Sequence, residues 1–406
     1  MPHIAAARDD RSVEDLLRQR VRGCPGTSAP QSLHLTVRKF SCSSAPSPLR
    51  SDAWVALCPD WAGTPARHRA AVPVTPPWSK LPMRTRRQPS CALTPGLVDG
   101  HHEEMAVLKV ATCQFPVSAD IGSNLRYIKR QMGLAQRAGA RVVHFPEGSL
   151  SGYAGTDFES FADFDWDRLH DATVEVAEHA HRLQVWAVLG SAHRTSNAHK
   201  PHNSSYVVDD SGQIAERYDK RFCSGGPDER SGDLAHYTPG DHFSVWTIDG
   251  VSCGALICYD YRFPELYREY KKLGVQLMFH SFHAAHASAE RIAEVGKAIG
   301  PEFKKLNRAA THTYPGITMP AAMTTAAACN HVWISCPNSS APQSCWAAFL
   351  VRADGVTTGR LRRNVPGVLV SSVDTEQELY DSTAPWRERA MGGVLHSGTL
   401  ASYGCS

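Results

Sequence analysis

The sequence lacks several features that would assign it to a class at once. None of its apolar runs approaches the ~18–20 residues that cross a bilayer. Its formal net charge of +3 is too small to indicate a nucleic-acid partner or an anionic membrane surface. The N-terminal stretch carries charges where a secretory signal needs an apolar segment, and no apolar segment follows the pair Arg86 and Arg87. We therefore expect a cytoplasmic protein without a membrane or nucleic-acid partner.

The cysteines also lack a recognisable framework. All twelve are scattered, and no two stand in a Cys-x-x-Cys pair. A cytosolic chain of 406 residues does not need disulfides to hold a core together. Most of the thiols are therefore expected to be buried apolar side chains, and one or two to be chemically active.

The chain divides into unequal parts. Residues 1–104 hold 13 of the 26 prolines and show little hydrophobic periodicity. Such a segment cannot bury enough apolar surface to offset chain entropy. We predict that residues 1–104 are a disordered extension, or that the functional protein starts near Met105. Residues 105–380 would then form one folded domain, and residues 381–406 a C-terminal tail that could lie at an oligomer interface.

After Met105, strand and helix patterns alternate. Helical patterns with one apolar face cover 122–138 and 167–181. Strands are predicted at 107–113, 142–145, 185–191, 275–281 and 331–336, hairpins turn near 211, 250 and 354, and further helices follow Pro264 and lie within 289–310 and 319–329. This order predicts an α/β sandwich with mixed sheets.

Two reactive side chains stand where predicted strands end. Glu147, in HFPEGSLSGY, comes just past an apolar strand and suits proton transfer, although it also fits an N-cap or a surface acid. Lys220, in ERYDKRF, follows a hairpin and could stabilise a developing oxyanion, although most lysines are simply solvated. Alone, neither residue identifies a site.

A third reactive side chain is Cys258, in GALICYDYRFPE. The apolar run before it predicts a strand, and Pro264 suits the first turn of a helix. A thiol between a strand and a helix resembles a nucleophile elbow, in which the next amide, the N–H of Tyr259, can face an oxyanion. A cysteine in an apolar run is otherwise usually part of the core. The charges that follow at once, on Asp260 and Arg262, favour the chemical interpretation.

In this order, the three segments resemble the nitrilase superfamily of carbon–nitrogen hydrolases, whose members share a Glu–Lys–Cys triad. The resembling stretch runs from about Leu108 to Asp374, and its further matches are AxxQF near the first strand, GPDE and YTPGD within 226–241, and AACNHVWISCPNS at 327–339. The resemblance implies a four-layer α-β-β-α sandwich and a homo-oligomer, with no metal and no organic cofactor.

The resemblance also implies a role for each triad residue. Glu147 would act as the general base that takes the thiol proton and later activates water. Cys258 would form a thioester and release ammonia or an amine. Lys220 and the backbone N–H of Tyr259 would hold the oxyanion.

The remaining site residues are less clearly marked. Many relatives carry a second glutamate before the Pro-Gly segment, and Glu229 is our candidate for it. Because RSGDLAH separates Glu229 from that segment by more residues than expected, Asp233 competes for the place. Tyr153, His280 and His283 are expected to line the substrate pocket.

The residues after the nucleophile bear on the substrate. True nitrilases of the family usually follow the cysteine with Trp-Glu, whereas Tyr259 and Asp260 follow Cys258. This pair resembles the amidase and carbamoyl-amidase branches. We therefore favour a small amide or N-carbamoyl substrate over a nitrile.

Two other classes of protein remain as alternatives. His280, His283 and His286 could ligate zinc and activate water, although on a helix three such residues would not share one face. A nitrilase-like domain can also be a catalytically silent binding module, but such a module would be expected to have lost part of its triad.

Overall fold

The computed structural model describes residues 107–196, 198–306 and 313–398. The predicted extension at residues 1–104, the proposed start at Met105 and the end of the predicted tail lie outside these ranges. Within the described ranges, no helix combines the length and the apolar character needed to span a bilayer.

The described residues contain twelve strands in two sheets of six. In chain order they are β1 (Leu108–Gln114), β2 (Val142–His144), β3 (Trp186–His193), β4 (His202–Val208), β5 (Ile214–Asp219), β6 (Val245–Ile248), β7 (Val251–Ile257), β8 (Leu277–Ser281), β9 (Trp333–Cys336), β10 (Phe349–Val351), β11 (Thr357–Arg360) and β12 (Gly367–Val373). Sheet one has the order β12-β1-β2-β3-β4-β5, and sheet two the order β11-β10-β9-β8-β7-β6. The centre of each sheet is parallel, through β1-β2-β3 and β7-β8-β9.

Seven α-helices accompany the strands in the described residues. They are α1 (Ile121–Arg137), α2 (Trp166–Leu183), α3 (Pro264–Lys272), α4 (Ala289–Ile299), α5 (Glu302–Leu306), α6 (Tyr314–Asn330) and α7 (Ala384–Met391). Asp120 and Asp165 cap α1 and α2 by accepting backbone N–H bonds from their first turns. Pro264 occupies the first turn of α3, as the sequence predicts.

Two apolar clusters hold the layers together. One joins α1 and α2 to sheet one, with Ile128 and Val176 among its fully buried members. The other lies between the sheets and extends beneath α3 and α6. A Cβ on Gly254 of β7 would come within 2.8 Å of the Tyr270 ring of α3, so this residue lets α3 lie close against sheet two. The layers therefore stack α-β-β-α, and the predicted fold is confirmed.

Polar side chains also join the two sheets. The hydroxyl of Thr112 in β1 lies 2.7 Å from that of Ser335 in β9. His144 of β2 bridges the hydroxyls of Ser335 and Ser281, at 2.9 Å each. Because buried polar groups are costly unless they are paired, these contacts favour one lateral placement of the sheets.

The strand and helix patterns after Met105 predict most of these elements to within a few residues. The patterns do not predict β12, which pairs antiparallel with β1 over seven residues, or the helix α7. The helical arrangement considered for His280, His283 and His286 is not formed, because His280 lies in β8 and residues 282–288 form an irregular loop.

Candidate active site

The fold brings the three predicted catalytic residues together from three strand ends. Glu147 lies three residues past β2, Lys220 directly follows β5, and Cys258 directly follows β7. The Lys220 Nζ atom lies 2.9 Å from Glu147 Oε1. Besides burial, the Glu147 carboxylate also raises the pKa of the Cys258 thiol. The carboxylate therefore interacts with both the ammonium and the thiol.

Glu147 is buried and fully hydrogen-bonded. Its Oε1 atom accepts bonds from Lys220 and from the Asn203 amide at 2.8 Å, and its Oε2 atom accepts the backbone N–H of His283 at 3.0 Å. The turn that carries it lies directly on Gly190 of β3, where a Cβ would approach the Glu147 Cα to 2.9 Å. These contacts hold the carboxylate in one orientation.

Lys220 is also buried, and its three donors all have partners. They are Glu147 at 2.9 Å, the Tyr153 hydroxyl at 3.2 Å and Asp233 Oδ2 at 2.8 Å. Burial alone would lower the pKa of Lys220, but the charges of Glu147, Tyr153 and Asp233 outweigh burial and raise it well above its usual value. The lysine is therefore a fixed cation.

The second acid beside Lys220 is Asp233, and this placement corrects the choice of Glu229. Glu229 is exposed, and only its backbone carbonyl takes part in a described hydrogen bond, from Lys200. Asp233 is 4% exposed and accepts the Tyr153 hydroxyl at 2.5 Å as well as Lys220. Asp233 lies in a short 3₁₀ helix at 232–235 that buries its side chain, whereas Glu229 lies in the exposed loop before this helix. The sequence signal that favours Asp233 is its shorter separation from the Pro-Gly segment.

This placement predicts different results for the two acids. Asp233→Asn should lower the free energy of unfolding by about 1–3 kcal/mol, because a buried partner of Lys220 loses its charge. Glu229→Gln should change it by less than about 0.5 kcal/mol, because its side chain is exposed. Urea unfolding of both variants makes the comparison. Equal losses in the two variants would contradict the assignment of Asp233.

Cys258 occupies a strained elbow between β7 and α3. Its φ of +43° lies in the left-handed region, which a side chain with a Cβ rarely adopts. Burial, followed by the negative charge of Glu147, raises the pKa of the thiol well above its usual value, although Lys220 opposes the shift. The thiol is therefore expected to be protonated at neutral pH.

Asp260 connects the elbow to the lysine loop, a role that the sequence analysis did not assign. Its carboxylate accepts the Ile257 N–H at 3.0 Å, the Phe222 N–H at 2.8 Å and the Tyr218 hydroxyl at 2.8 Å. Burial raises its pKa to about 6, although these hydrogen bonds oppose the shift. It therefore fixes the segments on both sides of Cys258 and Lys220. The sequence shows only a charge two residues after Cys258, because the partners Phe222 and Tyr218 are brought to it by tertiary structure.

The three predicted pocket residues have different environments. Tyr153 joins the cluster through its hydroxyl, and its ring stacks on His283 with centroids 5.3 Å apart. His283 places Nε2 3.0 Å from Asp157. His280 differs from the expectation, because it is fully buried and its ring nitrogens bond the Tyr267 hydroxyl and the Cys258 carbonyl.

The histidines do not form the metal site considered as an alternative. His283 and His286 approach Asp157, at 3.0 and 3.7 Å, whereas both ring nitrogens of His280 are engaged elsewhere. Across 107–196, 198–306 and 313–398, no group of three or more His, Cys, Asp or Glu side chains is arranged to hold a metal ion.

Comparison with known proteins agrees with the fold and the motifs. The model of the carbon-nitrogen hydrolase family matches residues 109–378. Because this match covers more than half of the chain, the protein belongs to that family. The sequence resemblance to the nitrilase superfamily of carbon–nitrogen hydrolases is thereby confirmed.

Individual relatives share 28% to 35% of the matched residues with this chain, over part of its length. The chain is 29% identical to nitrilase homolog 2 of Dictyostelium discoideum over 178 residues, which are 43% of this chain and 53% of that protein. It is 28% identical to the 2-oxoglutaramate amidase of Bacillus subtilis over 142 residues, or 35% of this chain and 52% of that enzyme. The matched stretches thus span about half the length of these relatives. A solved structure of an amidase from Nesterenkonia sp. superposes with a TM-score of 0.54 at 20% identity, covering 73% of this chain and 99% of that one.

Proposed function

We propose that the protein hydrolyses a small amide or N-carbamoyl compound through a thioester on Cys258. One observation carries the proposal: the Lys220 ammonium hydrogen-bonds the Glu147 carboxylate, and the charges of both groups act on the Cys258 thiol. Base, nucleophile and cation are the parts that acyl transfer to a thiol requires.

In the first half-reaction, Glu147 takes the proton from Cys258 Sγ while the sulfur attacks the carbonyl carbon. The carbonyl oxygen becomes an oxyanion beside Lys220 Nζ and the backbone N–H of Tyr259. Because burial disfavours a free thiolate at Cys258, proton transfer and attack are expected to be coupled. Collapse breaks the carbon–nitrogen bond, and the proton held by Glu147 goes to the departing nitrogen.

In the second half-reaction, water replaces the amine. Glu147, again a carboxylate, takes a proton from this water, and the hydroxyl attacks the thioester carbon. The second oxyanion is stabilised by the charge of Lys220 and by the backbone N–H of Tyr259, as the first is. Its collapse breaks the carbon–sulfur bond, releases a carboxylic acid and returns the proton to sulfur. Asp233 and Tyr153 hold the lysine in place throughout, because each hydrogen-bonds Nζ.

Several relatives favour an amide over a nitrile. Besides the 2-oxoglutaramate amidase, an (R)-stereoselective amidase of Pseudomonas sp. is 35% identical over 139 residues, which are 34% of this chain and 46% of that enzyme. One form of the Nesterenkonia amidase carries an acetamide moiety added covalently at its active-site cysteine. The Tyr259-Asp260 pair after Cys258 agrees with the amide interpretation. A cytoplasmic location, expected from the sequence, and homo-oligomeric assembly, implied by the family resemblance, are further parts of this proposal.

The proposal can be tested by trapping the intermediate. The full chain is incubated with small amides, N-carbamoyl compounds and nitriles, ammonia is measured, and acid-quenched protein is analysed by peptide mass spectrometry. We expect ammonia from an amide or carbamoyl compound and an acyl group on Cys258. An acyl group on another residue would overturn the mechanism, and turnover of nitriles alone would overturn the substrate class.

Glu147→Gln tests the base in the same assay. The variant keeps the side-chain shape but cannot accept the thiol proton, so we expect kcat to fall by about 10²–10⁴-fold. Glu229→Gln is the matched control, since it removes the charge of an exposed glutamate outside the cluster. Ammonia release by Glu147→Gln at the wild-type rate would contradict the role of Glu147.

A further inference from the structure

The carbonyl of Cys258 has a buried hydrogen-bond partner on the neighbouring strand. His280, the fourth residue of β8, places its Nε2 atom 3.1 Å from this carbonyl oxygen. The imidazole is fully buried and stacks on the Phe282 ring with centroids 4.3 Å apart. It therefore meets the nucleophile's backbone from within the core and not from the solvent side.

The hydrogen bonds determine which nitrogen of His280 carries the proton. A carbonyl oxygen can only accept, so Nε2 must donate to Cys258. The Tyr267 hydroxyl lies 2.5 Å from Nδ1. Burial lowers the pKa of His280 to about 3, so the ring is neutral and Nδ1 accepts from this hydroxyl. The bonds thus run from Tyr267 through His280 to the Cys258 carbonyl.

That carbonyl belongs to the same peptide unit as the N–H of Tyr259. The peptide is trans, so its C=O and N–H point in opposite directions. A bond that fixes the oxygen on the His280 side therefore fixes the N–H on the opposite side of the peptide. A donor to the carbonyl also polarises the peptide and makes its N–H a stronger donor.

The elbow has a physical need for such support. Cys258 has a φ of +43°, a backbone conformation that is strained for a non-glycine residue. Without an anchor on its carbonyl, the peptide unit that follows could rotate toward a less strained conformation. The oxyanion donor would then lose its direction even if the thiol stayed in place.

We propose that His280 is a positioning residue that orients and polarises the Tyr259 N–H toward the oxyanion. The proposal rests on the acyl-transfer function proposed above. His280 touches neither substrate nor reacting atoms, and Tyr267 fixes its tautomer. This role goes beyond the pocket-lining one that the sequence predicts for His280.

His280→Phe tests the proposal with two reactions of one thiol. Amide hydrolysis builds an oxyanion, whereas alkylation of Cys258 by iodoacetamide does not. We expect kcat to fall by about 10–100-fold, somewhat less than the loss on removing an oxyanion donor itself. KM and the alkylation rate should stay within about twofold, because ground-state binding and the thiol are unchanged. His280→Gln, whose amide can donate to the carbonyl, should recover part of kcat.

A milder pair covers the case in which His280→Phe does not fold. Tyr267→Phe removes the hydroxyl that binds His280, while Tyr270→Phe removes one that donates to the Ala255 carbonyl at 2.7 Å. Both tyrosines are buried in α3. Only Tyr267→Phe should lower kcat without changing the alkylation rate.

The outcomes separate this proposal from the proposed function. If the wild-type protein forms an acyl-Cys258 intermediate but kcat is unchanged in His280→Phe, or in Tyr267→Phe where the former is unfolded, only the role of His280 is overturned. Equal losses of hydrolysis and alkylation would also overturn it, since they indicate general disruption. If the wild-type protein forms no acyl intermediate with any amide, carbamoyl or nitrile compound, the proposed function fails and this role fails with it.

Discussion

Cys258→Ala is expected to abolish amide hydrolysis, lowering kcat by about 10⁴-fold or more, as removal of a covalent nucleophile does in other hydrolases. Cys253 and Cys336 do not offer a substitute, because their Sγ atoms face backbone carbonyls within their own strands. Cys223 is influenced by the charged groups of the site, but it lies in the loop after Lys220 and not at a strand end before a helix, where Cys258 lies.

The effect of Cys258→Ala should be catalytic and not structural. Alanine keeps the Cβ at the strained elbow, so the free energy of unfolding should change by about 1 kcal/mol or less. Cys329→Ala is the matched control, because Cys329 is an exposed thiol in α6. Ammonia release and urea unfolding are measured for both variants. Residual turnover by Cys258→Ala within tenfold of the wild type would show that Cys258 is not the nucleophile.

Lys220→Met is expected to give the largest loss of stability, about 3–5 kcal/mol, in addition to the loss of activity. Methionine has nearly the same length but no charge. It would leave the buried acids Glu147 and Asp233 without the cation that lies within 2.9 Å of both. Lys109→Met provides the control, because Lys109 is exposed in β1 and should change stability by less than about 0.5 kcal/mol. Chemical unfolding of both variants and of the wild type measures the difference.

The pH dependence gives this prediction a second test. In the wild type, burial alone would raise the pKa of Asp233, but Lys220 lowers it below the usual value, so the stability it contributes is lost as pH falls through the folded-state pKa. In Lys220→Met, burial should instead raise the pKa of Asp233. The folded variant would then bind the additional proton, and its stability should recover as pH falls from neutrality toward the pKa of an unfolded aspartate, about 4. A difference in the free energy of unfolding between variant and wild type that increases toward acid pH would contradict this account.

Removing Asp233 from the variant tests the same cluster from the other side. Lys220→Met combined with Asp233→Asn should be less destabilised than the sum of the two single changes, because the second change removes a charge that the first left unpaired. Strict additivity would mean that the two side chains do not act as one buried cluster.

The sequence predicted most of the fold and the three central residues for specific reasons. Glu147, Lys220 and Cys258 each stand at a strand end, and strand ends can be located from apolar periodicity and proline. The hairpins at 210–212 and 249–250 are predicted by their turn residues, since each turn contains an aspartate and a glycine. Such local signals do not depend on the rest of the chain.

The remaining features depend on contacts between distant segments. Glu229 and Asp233 lie in one loop, and only a short 3₁₀ turn decides which of them meets Lys220. The hydrogen bonds of His280 depend on the packing of β8 beside the elbow and against α3. The spacing of His280, His283 and His286 could therefore indicate only a substrate pocket or a metal site. Asp260 acquires its role from three partners, of which Phe222 and Tyr218 lie about 40 positions earlier.

The pairing of β1 with β12 has a consequence for biosynthesis. During translation, β1 is synthesised first among the described strands and β12 last. Glu147, Lys220 and Cys258 therefore emerge from the ribosome well before sheet one is complete. Until β12 arrives, β1 presents an unpaired edge, which is a known template for aggregation. A translational pause or premature stop before residue 367 would thus leave a chain that holds all three reactive side chains but lacks the strand that protects its first one. Synonymous codon changes in the messenger RNA that slow translation before residue 367 should reduce the yield of soluble protein. The activity of each correctly folded molecule should remain unchanged.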